Sequence, residues 1–407
     1  MRSTRHYFQN DRGLKLSASL DMPLDGRIDS YAIFAHCFTC GKNLKISHYI
    51  SRSLTRHHIA VLRFDFTGLG ESEGDFSQTN FSTNIDDLIS AAGFLAAKYK
   101  APQLLIGHSL GGTAALAAVK SIPSCRAVTI IGSPFEPIHI MDHFPEEKAI
   151  IKAQGKVNIT VGGQTFMLTK QFLDDLSKKD MQQAIRNLDR PLLIIHSPQD
   201  ITVDIDNAAR VYQAARHPKS FISLDNADHL LSRETDASYA GSMIATWAHK
   251  YLQITGQQTP GMHEDGYVIT NTSRDGFYTE IQAGGHSMIA DEPRSAGGTD
   301  HGPSPYEFIS AALGSCTGMT LRMYADHKGW NLEEVNIRLR HAKIHADDCS
   351  NCADGHTMID TITRDIELIG NLTEDQKTRL VEIANRCPVH RTLQQQVIVT
   401  TRLSNYS

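Results

Sequence analysis

No stretch of this 407-residue chain approaches the ~20 consecutive apolar residues that span a bilayer, so no helical membrane anchor is expected. Residues 1–23 alternate charged and polar side chains and hold no apolar signal-peptide core, which makes the cytoplasm the expected compartment. There is no Lys/Arg-rich run, and the formal net charge is −5, so nucleic acid is not an expected partner. The seven cysteines are an odd number in a long chain and lack the density of a secreted disulfide framework; they read as buried thiols plus a few reactive ones. No internal repeat links the two halves. What is present is ordinary globular composition, 41% hydrophobic and 21% charged, in a chain long enough for two or three domains.

The first 250 residues alternate short apolar runs with amphipathic stretches. Strand candidates lie at 31–35, 59–64, 104–106, 127–131, 192–195 and 220–224, and helical segments at 44–57, 84–99, 113–121, 204–215 and 234–251. The strand runs are nearly continuous in apolar character, as strands buried on both faces are, so the pattern predicts an α/β fold: a mostly parallel sheet wrapped by helices. Between 132 and 190 no strong strand appears. Amphipathic helical pieces at 169–178 and 180–187 read as part of a small helical cap, about 134–190, over the C-terminal edge of the sheet. Residues 254–265 carry Gly256, Pro260 and Gly261 among polar residues and read as a linker. Beyond it, alternating strands frame two long helices, a smaller α+β pattern. The expected division is therefore 1–253, 254–265 and 266–407.

The sequence Gly107-His108-Ser109-Leu110-Gly111 joins the apolar run 104–106 to an Ala-rich helical stretch. A G-x-S-x-G between strand and helix is the nucleophile elbow, a sharp turn that exposes the serine oxygen above the sheet edge. The alternative is a Gly-rich turn that merely contains a serine. A serine hydroxyl needs a base to take its proton and a third group to orient that base. In elbow hydrolases these follow in the order Ser, Asp or Glu, His. Asp200, after the strand at 192–195, and His229, after the strand at 220–224, fit that order at late strand ends. Asp204, Asp206 and Asp228 compete for the acid; Asp204 suits a helix cap, and Asp228 adjoins the histidine. The backbone N–H of Leu110 is one expected oxyanion donor, and that of Phe38, in the loop His36-Cys37-Phe38, is the other.

These features resemble the α/β-hydrolase family, in its serine esterase and lipase-like branch, over about 1–252. Asp65-Phe66-Thr67-Gly68-Leu69-Gly70-Glu71-Ser72 adds a match to that family's D-x-x-G-x-G-x-S loop. One departure stands out: Cys37 occupies the place where the family's oxyanion loop has Gly. It also creates Cys37-x-x-Cys40, which reads as two small buried thiols, with redox control of the esterase as the alternative.

Residues 305–328 follow a helical period, with Tyr306, Ile309, Leu313, Cys316, Thr320 and Met323 recurring at threes and fours. A second helix at 374–386 ends at Cys387, with Pro388 expected to stop it. Here the chain resembles the OsmC/Ohr family of thiol peroxidases, over about 266–407. The matching stretches are Asp291-Glu292-Pro293, Gly302-Pro303-Ser304-Pro305-Tyr306-Glu307, Ala311-Ala312-Leu313-Gly314-Ser315-Cys316 and Arg386-Cys387-Pro388-Val389-His390. The resemblance implies Cys316 as peroxidatic thiol, Cys387 as resolving thiol, and an intertwined homodimer formed through this domain. It also implies a thiolate-activating Arg on an N-terminal strand, best matched by Arg274, and a Glu holding that Arg. The family's Glu stands ten residues before the first cysteine, where this chain has Tyr306. Glu307 is one later, which on a straight helix turns it about half a turn away from Cys316.

His341, His345, Cys349, Cys352 and His356 form a third grouping. It lacks the usual four-ligand zinc spacing, so a polar loop accounts for it and no metal is assigned. The sequence thus predicts a fused, two-activity enzyme. One part hydrolyses small-molecule carboxylic esters through Ser109, His229 and Asp200. The other reduces organic hydroperoxides through Cys316 and Cys387, at the expense of a thiol or dithiol. Neither chemistry requires a cofactor. The rival expectation is an esterase whose C-terminal part is a dimerisation or zinc-binding module without turnover.

Overall fold

The computed structural model describes residues 1–252, 266–272, 276–345 and 358–403; for 344, 345, 358 and 359 only the backbone is described. The expected linker, Arg274, Cys349, Cys352 and His356 lie outside the described residues. The chain divides into two compact units, Met1–Ile269 with Gln282–Gly285, and Thr270–Ile281 with His286–Ser407.

In the first unit β1 (Arg2–Gln9) and β2 (Lys15–Met22) form an antiparallel hairpin, followed by β3 (Ser30–Ala35), α1 (Lys45–Arg56), β4 (Ile59–Phe64), α2 (Phe81–Lys98), β5 (Leu104–His108), α3 (Leu110–Ala118) and β6 (Ala127–Ile131). After an excursion come β9 (Leu192–His196), α7 (Asp206–Ala214), β10 (Lys219–Ser223) and α8 (Glu234–His249). The excursion contains α4 (Pro145–Gln154), β7 (Lys156–Val161), β8 (Gln164–Thr169), α5 (Lys170–Leu176) and α6 (Met181–Arg186). The eight-stranded sheet has the order β1-β2-β4-β3-β5-β6-β9-β10. Pairing is antiparallel for β1·β2 and β2·β4 and parallel elsewhere.

Alternate residues of one strand point to opposite faces, and the core follows that rule. Leu104, Ile106, Leu193 and Ile195 pack with Ile50 and Leu54 of α1 and Ile244 of α8 on one side. Leu105, Leu192 and Ile194 pack with Leu88 of α2 and Leu116 of α3 on the other. Parallel strands between two helical layers leave all their C-terminal ends at one edge, where the connecting loops can converge.

Two hairpins were not expected. The β1·β2 pair lies at the sheet edge, and β1 is largely exposed, so it carries no apolar run to announce it. The cap is not purely helical: β7 and β8 form a separate antiparallel ribbon turned by Gly162-Gly163. That dipeptide between alternating residues is itself a hairpin signal.

Leading into the second unit, β11 (Val268–Thr272), β12 (Thr279–Ala283) and β13 (His286–Ala290) form a three-stranded sheet in that order. Then come α9 (Pro305–Lys328), the long antiparallel pair β14 (Asn331–His345) and β15 (Met358–Asn371), α10 (Glu374–Ala384) and α11 (Pro388–Gln394). Helix α9 begins at a Ser304/Glu307 capping box with Pro305 in its first turn. Pro388 starts α11 rather than merely ending the helix before it, because proline's fixed φ and missing N–H suit a first helical position. Leu321 and Ala325 of α9 meet Leu380 and Ile383 of α10 in the core of this unit.

Candidate active sites

Strand β5 delivers Ser109 at φ 54°, ψ −127°, and α3 begins at the next residue. A non-glycine residue held at such a φ costs of order 1–3 kcal/mol, which the surrounding structure must offset. The flanking glycines allow the turn: a Cβ on Gly107 would overlap the Gly112 backbone, and one on Gly111 the backbone of Ala35 and His36. The Ser109 N–H donates to the Ile131 carbonyl at 2.8 Å, locking the turn to β6. Among the described residues Ser109 Oγ has no hydrogen-bond partner. It lines a cavity of about 790 Å³ that His229 also lines.

His229 Nδ1–H donates to Asp200 Oδ2 at 2.7 Å, and the histidine side chain is 11% exposed. The other carboxylate oxygen, Oδ1, accepts the N–H groups of Thr202 at 2.8 Å and Val203 at 2.9 Å. Burial pushes the Asp200 carboxyl up, but the bonds from His229, Val203 and Thr202 outweigh it, and its pKa lies below the ordinary value. Two of the competing acids are engaged elsewhere: Asp204 Oδ1 accepts the Asp206 N–H, and Asp228 Oδ1 accepts the Ser232 N–H.

The loops bearing Asp200 and His229 are tied together by groups that the sequence reading passed over. Ser197 Oγ donates to the Ala227 carbonyl at 2.6 Å, and the Asn226 N–H donates to Gln199 Oε1 at 2.7 Å. His108 Nε2 bonds the carbonyl of His229 itself at 2.7 Å, so that nitrogen carries the proton. Burial pushes the His108 pKa down to about 3, so the ring stays neutral. Gly132, at φ 53°, leaves the space beside this pair: a Cβ there would stand 3.3 Å from Asp200 Oδ2 and 3.4 Å from His229 Nδ1. Its place directly after β6 was the available signal.

Cys37 and Cys40 are joined in a disulfide, which corrects the expectation of two free buried thiols. A side chain at the family's Gly position does not leave the Cys37–Phe38 peptide loose. His36 Nδ1 donates to the Cys37 carbonyl at 2.9 Å while its Nε2 accepts the Phe66 N–H at 3.4 Å, and burial keeps the ring neutral. The peptide is planar and trans, so fixing the Cys37 C=O also fixes the opposed Phe38 N–H. Leu110, the first residue of α3, has an N–H without an intrahelical acceptor. Downstream the loop is held by a buried ion pair. Lys42 Nζ meets Asp65 Oδ2 at 2.6 Å with the side chains 4% and 2% exposed, and the Lys42 N–H donates to Asp65 Oδ1 at 2.6 Å. Glu71 takes a further Lys42 Nζ bond at 2.8 Å. The D-x-x-G-x-G-x-S stretch therefore acts here as an anchor for the loop after β3.

In the second unit Cys316 lies on α9, and Cys387 is the buried N-cap of α11. Cys387 Sγ accepts the His390 N–H at 3.3 Å and lies 3.6 Å from Thr317 Oγ1. Burial pushes this thiol up, but the His390 N–H, the Thr317 hydroxyl, the Cys316 thiol and the Arg364 charge together bring it below its ordinary value. Arg364, on β15, was not singled out in the sequence. Its Nη1 donates to Thr317 Oγ1 at 2.7 Å and to the Ala384 carbonyl at 3.2 Å, and its Nη2 to Asn385 Oδ1 at 2.8 Å. Glu307 Oε2 accepts the Ser304 N–H at 2.7 Å, closing the capping box of α9. Its expected partner Arg274 lies outside the described residues. Of the third grouping, His341 bonds Asp360 at 2.8 Å and stacks on Tyr306 at 4.2 Å. Among the described residues no cluster of His, Cys, Asp or Glu is arranged to hold a metal. Nor is any described helix long and apolar enough to cross a membrane.

The profile of the Alpha/beta hydrolase family matches residues 32–295, and that of OsmC-like protein matches 298–402. The crystal structure of the esterase domain from a Rhodothermus marinus protein is 46% identical, covering 62% of this chain and all of that one, with a TM-score of 0.52. Mouse alpha/beta hydrolase domain-containing protein 10 shares the fold at 18% identity and a TM-score of 0.53, over 61% of this chain and 99% of its own. The uncharacterised protein YfhR of Salmonella typhimurium is 26% identical over 180 residues, 44% of this chain. The chain spans 57% of the length of that curated relative. The chain belongs to the alpha/beta hydrolase family and carries a C-terminal OsmC-like domain.

Proposed function

We propose that the first domain hydrolyses carboxylic esters through a Ser109–His229–Asp200 triad. The observation that carries this reading is the 2.7 Å His229–Asp200 bond at the rim of the cavity that the strained Ser109 also lines. The similarity to the Rhodothermus esterase domain supports the same substrate class. Asp200 holds the proton of His229 on Nδ1 and leaves Nε2 free to accept. As a substrate carbonyl enters, His229 takes the Ser109 proton and the oxygen attacks. The Leu110 and Phe38 N–H groups hold the oxyanion. His229 then returns the proton to the departing alcohol, and water repeats the sequence on the acyl-enzyme.

For the second domain the reading is thiol-dependent reduction of organic hydroperoxides. The Cys316 thiolate attacks the peroxide oxygen, the O–O bond breaks, and an alcohol leaves with a proton. Cys387 then attacks the sulfenic acid, water leaves, and a Cys316–Cys387 disulfide remains for a thiol or dithiol to reduce. The hydrogen bonds and the Arg364 charge around Cys387 support a nucleophilic second thiol. Met319 and Met323 of α9 are 66% and 73% exposed, and this exposure favours homodimerisation through the domain. It also favours the second reading, a pairing module without turnover.

The experiment is a crossed activity panel on the full chain. Ser109→Ala abolishes p-nitrophenyl ester turnover and leaves cumene hydroperoxide reduction intact; Cys316→Ser does the reverse. Esterase activity surviving Ser109→Ala overturns the triad. Failure of cumene hydroperoxide to consume the Cys316 thiol leaves the pairing module as the function of the second domain.

A further inference from the structure

We propose that Cys37 and Cys40 form a thiol–disulfide exchange site that switches the hydrolase on and off. The proposal rests on the esterase reading, because it acts on the oxyanion donor Phe38. Both cysteines line the cavity occupied by Ser109 and His229, so a small dithiol reaches the disulfide by the route an ester would take. Cys40 is half-buried and Cys37 nearly fully buried, which makes the Cys40 sulfur the one open to attack. By contrast, Cys125 is a structural thiol: burial pushes its pKa up to about 12, and it donates to the Ala127 carbonyl.

The bridge encloses the donor it would control. Phe38 lies between the two cysteines, and the Cys40 N–H donates back to the Cys37 carbonyl at 3.3 Å. Within the same ring Thr39 is held at φ 58°, a conformation that a β-branched residue adopts only under constraint. Opening the ring releases Thr39 toward ordinary backbone angles. It frees the Cys37 carbonyl from the Cys40 N–H and leaves the His36 Nδ1 bond to hold that peptide plane alone, so the Phe38 N–H is less firmly aimed. The rest of the domain does not depend on the bridge. His36 on one side and the Lys42–Asp65 pair on the other anchor the flanking chain in the core. The bridge closes only a short loop, so it adds little to global stability.

The reductant is a dithiol, the chemical class that the Cys316 and Cys387 pair would also consume. Its thiolate attacks Cys40 Sγ, the Cys37–Cys40 bond breaks, and Cys37 leaves and takes a proton. The second thiol of the dithiol then attacks the mixed disulfide. Cys40 leaves and takes a proton, and the dithiol departs as its own disulfide. Two electrons and two protons enter the protein, and an oxidised dithiol reverses each step.

The test compares ester hydrolysis by the full-length chain before and after dithiothreitol, with the state of Cys37 and Cys40 read by differential alkylation and peptide mass spectrometry. Reduction lowers kcat at least about tenfold, toward the hundredfold or more that losing one oxyanion donor costs, with KM changed less than about twofold. Oxidised dithiothreitol restores the rate. Cys37→Ser/Cys40→Ser has the low rate from the start and does not respond to dithiothreitol. If that variant does not fold, the reduced and reoxidised wild type decides alone. Equal kcat in two states verified by mass overturns the switch and leaves the esterase reading standing, as does a dithiothreitol response retained in the double variant. No ester turnover in either state overturns the esterase reading and the switch with it.

Discussion

Replacing Asp200 with Asn removes one negative charge and almost nothing else, and the structure dictates which way the new amide turns. Oδ1 accepts two backbone N–H groups, from Thr202 and Val203. An amide NH2 placed there would face two donors, so the Asn oxygen keeps that side and its NH2 faces His229. His229 Nδ1 must then accept, which moves the ring proton to Nε2, the nitrogen that has to take the proton of Ser109. The base is present in the wrong tautomer. The expected loss in kcat is about 10⁴-fold, or about 5.4 kcal/mol of transition-state stabilisation, with little change in KM. Steady-state and single-turnover hydrolysis of p-nitrophenyl esters measure it. A loss smaller than about tenfold refutes the assignment of Asp200 as the orienting acid. The same variant has a signature in acid. The folded pKa of Asp200 is depressed, so its contribution to stability is full above the ordinary carboxylate value and is lost as pH falls through the folded value. The difference in urea midpoint between wild type and Asp200→Asn therefore narrows as pH falls below about 4, the ordinary carboxylate value.

Asp65→Ala leaves the ammonium of Lys42 buried with only Glu71 to meet it. The expected destabilisation is about 3 kcal/mol, the low end for breaking a buried pair, and is read as a fall in urea midpoint; an unchanged midpoint refutes the anchoring role. Arg364→Gln removes the charge that helps lower the Cys387 thiol, so its pKa rises toward the value burial alone would set. Thiolate absorbance followed against pH, in a variant whose other cysteines are replaced by Ser, reports the shift. A titration that does not move refutes the role of Arg364.

Strands β3, β4, β5, β6 and β9 were legible because each is buried on both faces and therefore stands out as an apolar run; β4 and β6 have the bounds that their sequences suggested. The chain order Ser, Asp, His led to residues that follow the C-terminal ends of the parallel strands β5, β9 and β10, and two of them, Asp200 and His229, are hydrogen-bonded. What escaped has physical reasons. β1 buries little and shows no apolar signature, and the cap ribbon was masked by its helical neighbours. Arg364 sits within a strand of alternating polar and apolar residues, where nothing local marks one arginine as the partner of Thr317 beside Cys387. The tethers His108 and Ser197 act through backbone carbonyls, and no residue pattern encodes which carbonyl will arrive. A Cys-x-x-Cys spacing permits a disulfide without requiring one, so the bridge in the loop after β3 appears only in the folded chain.

The β7·β8 ribbon contributes Val161, Gln164 and Phe166 to the wall of the cavity that holds Ser109. The two strands pair only with each other, outside the eight-stranded sheet, and their tip is a glycine pair. Lengthening the ribbon or exchanging its inward side chains reshapes what the cavity accepts without disturbing any bond that aligns acid and base. On the esterase reading, selectivity and chemistry are thus written on separate pieces of the chain, and a new preference for acyl group can be grafted onto the first without relearning the second.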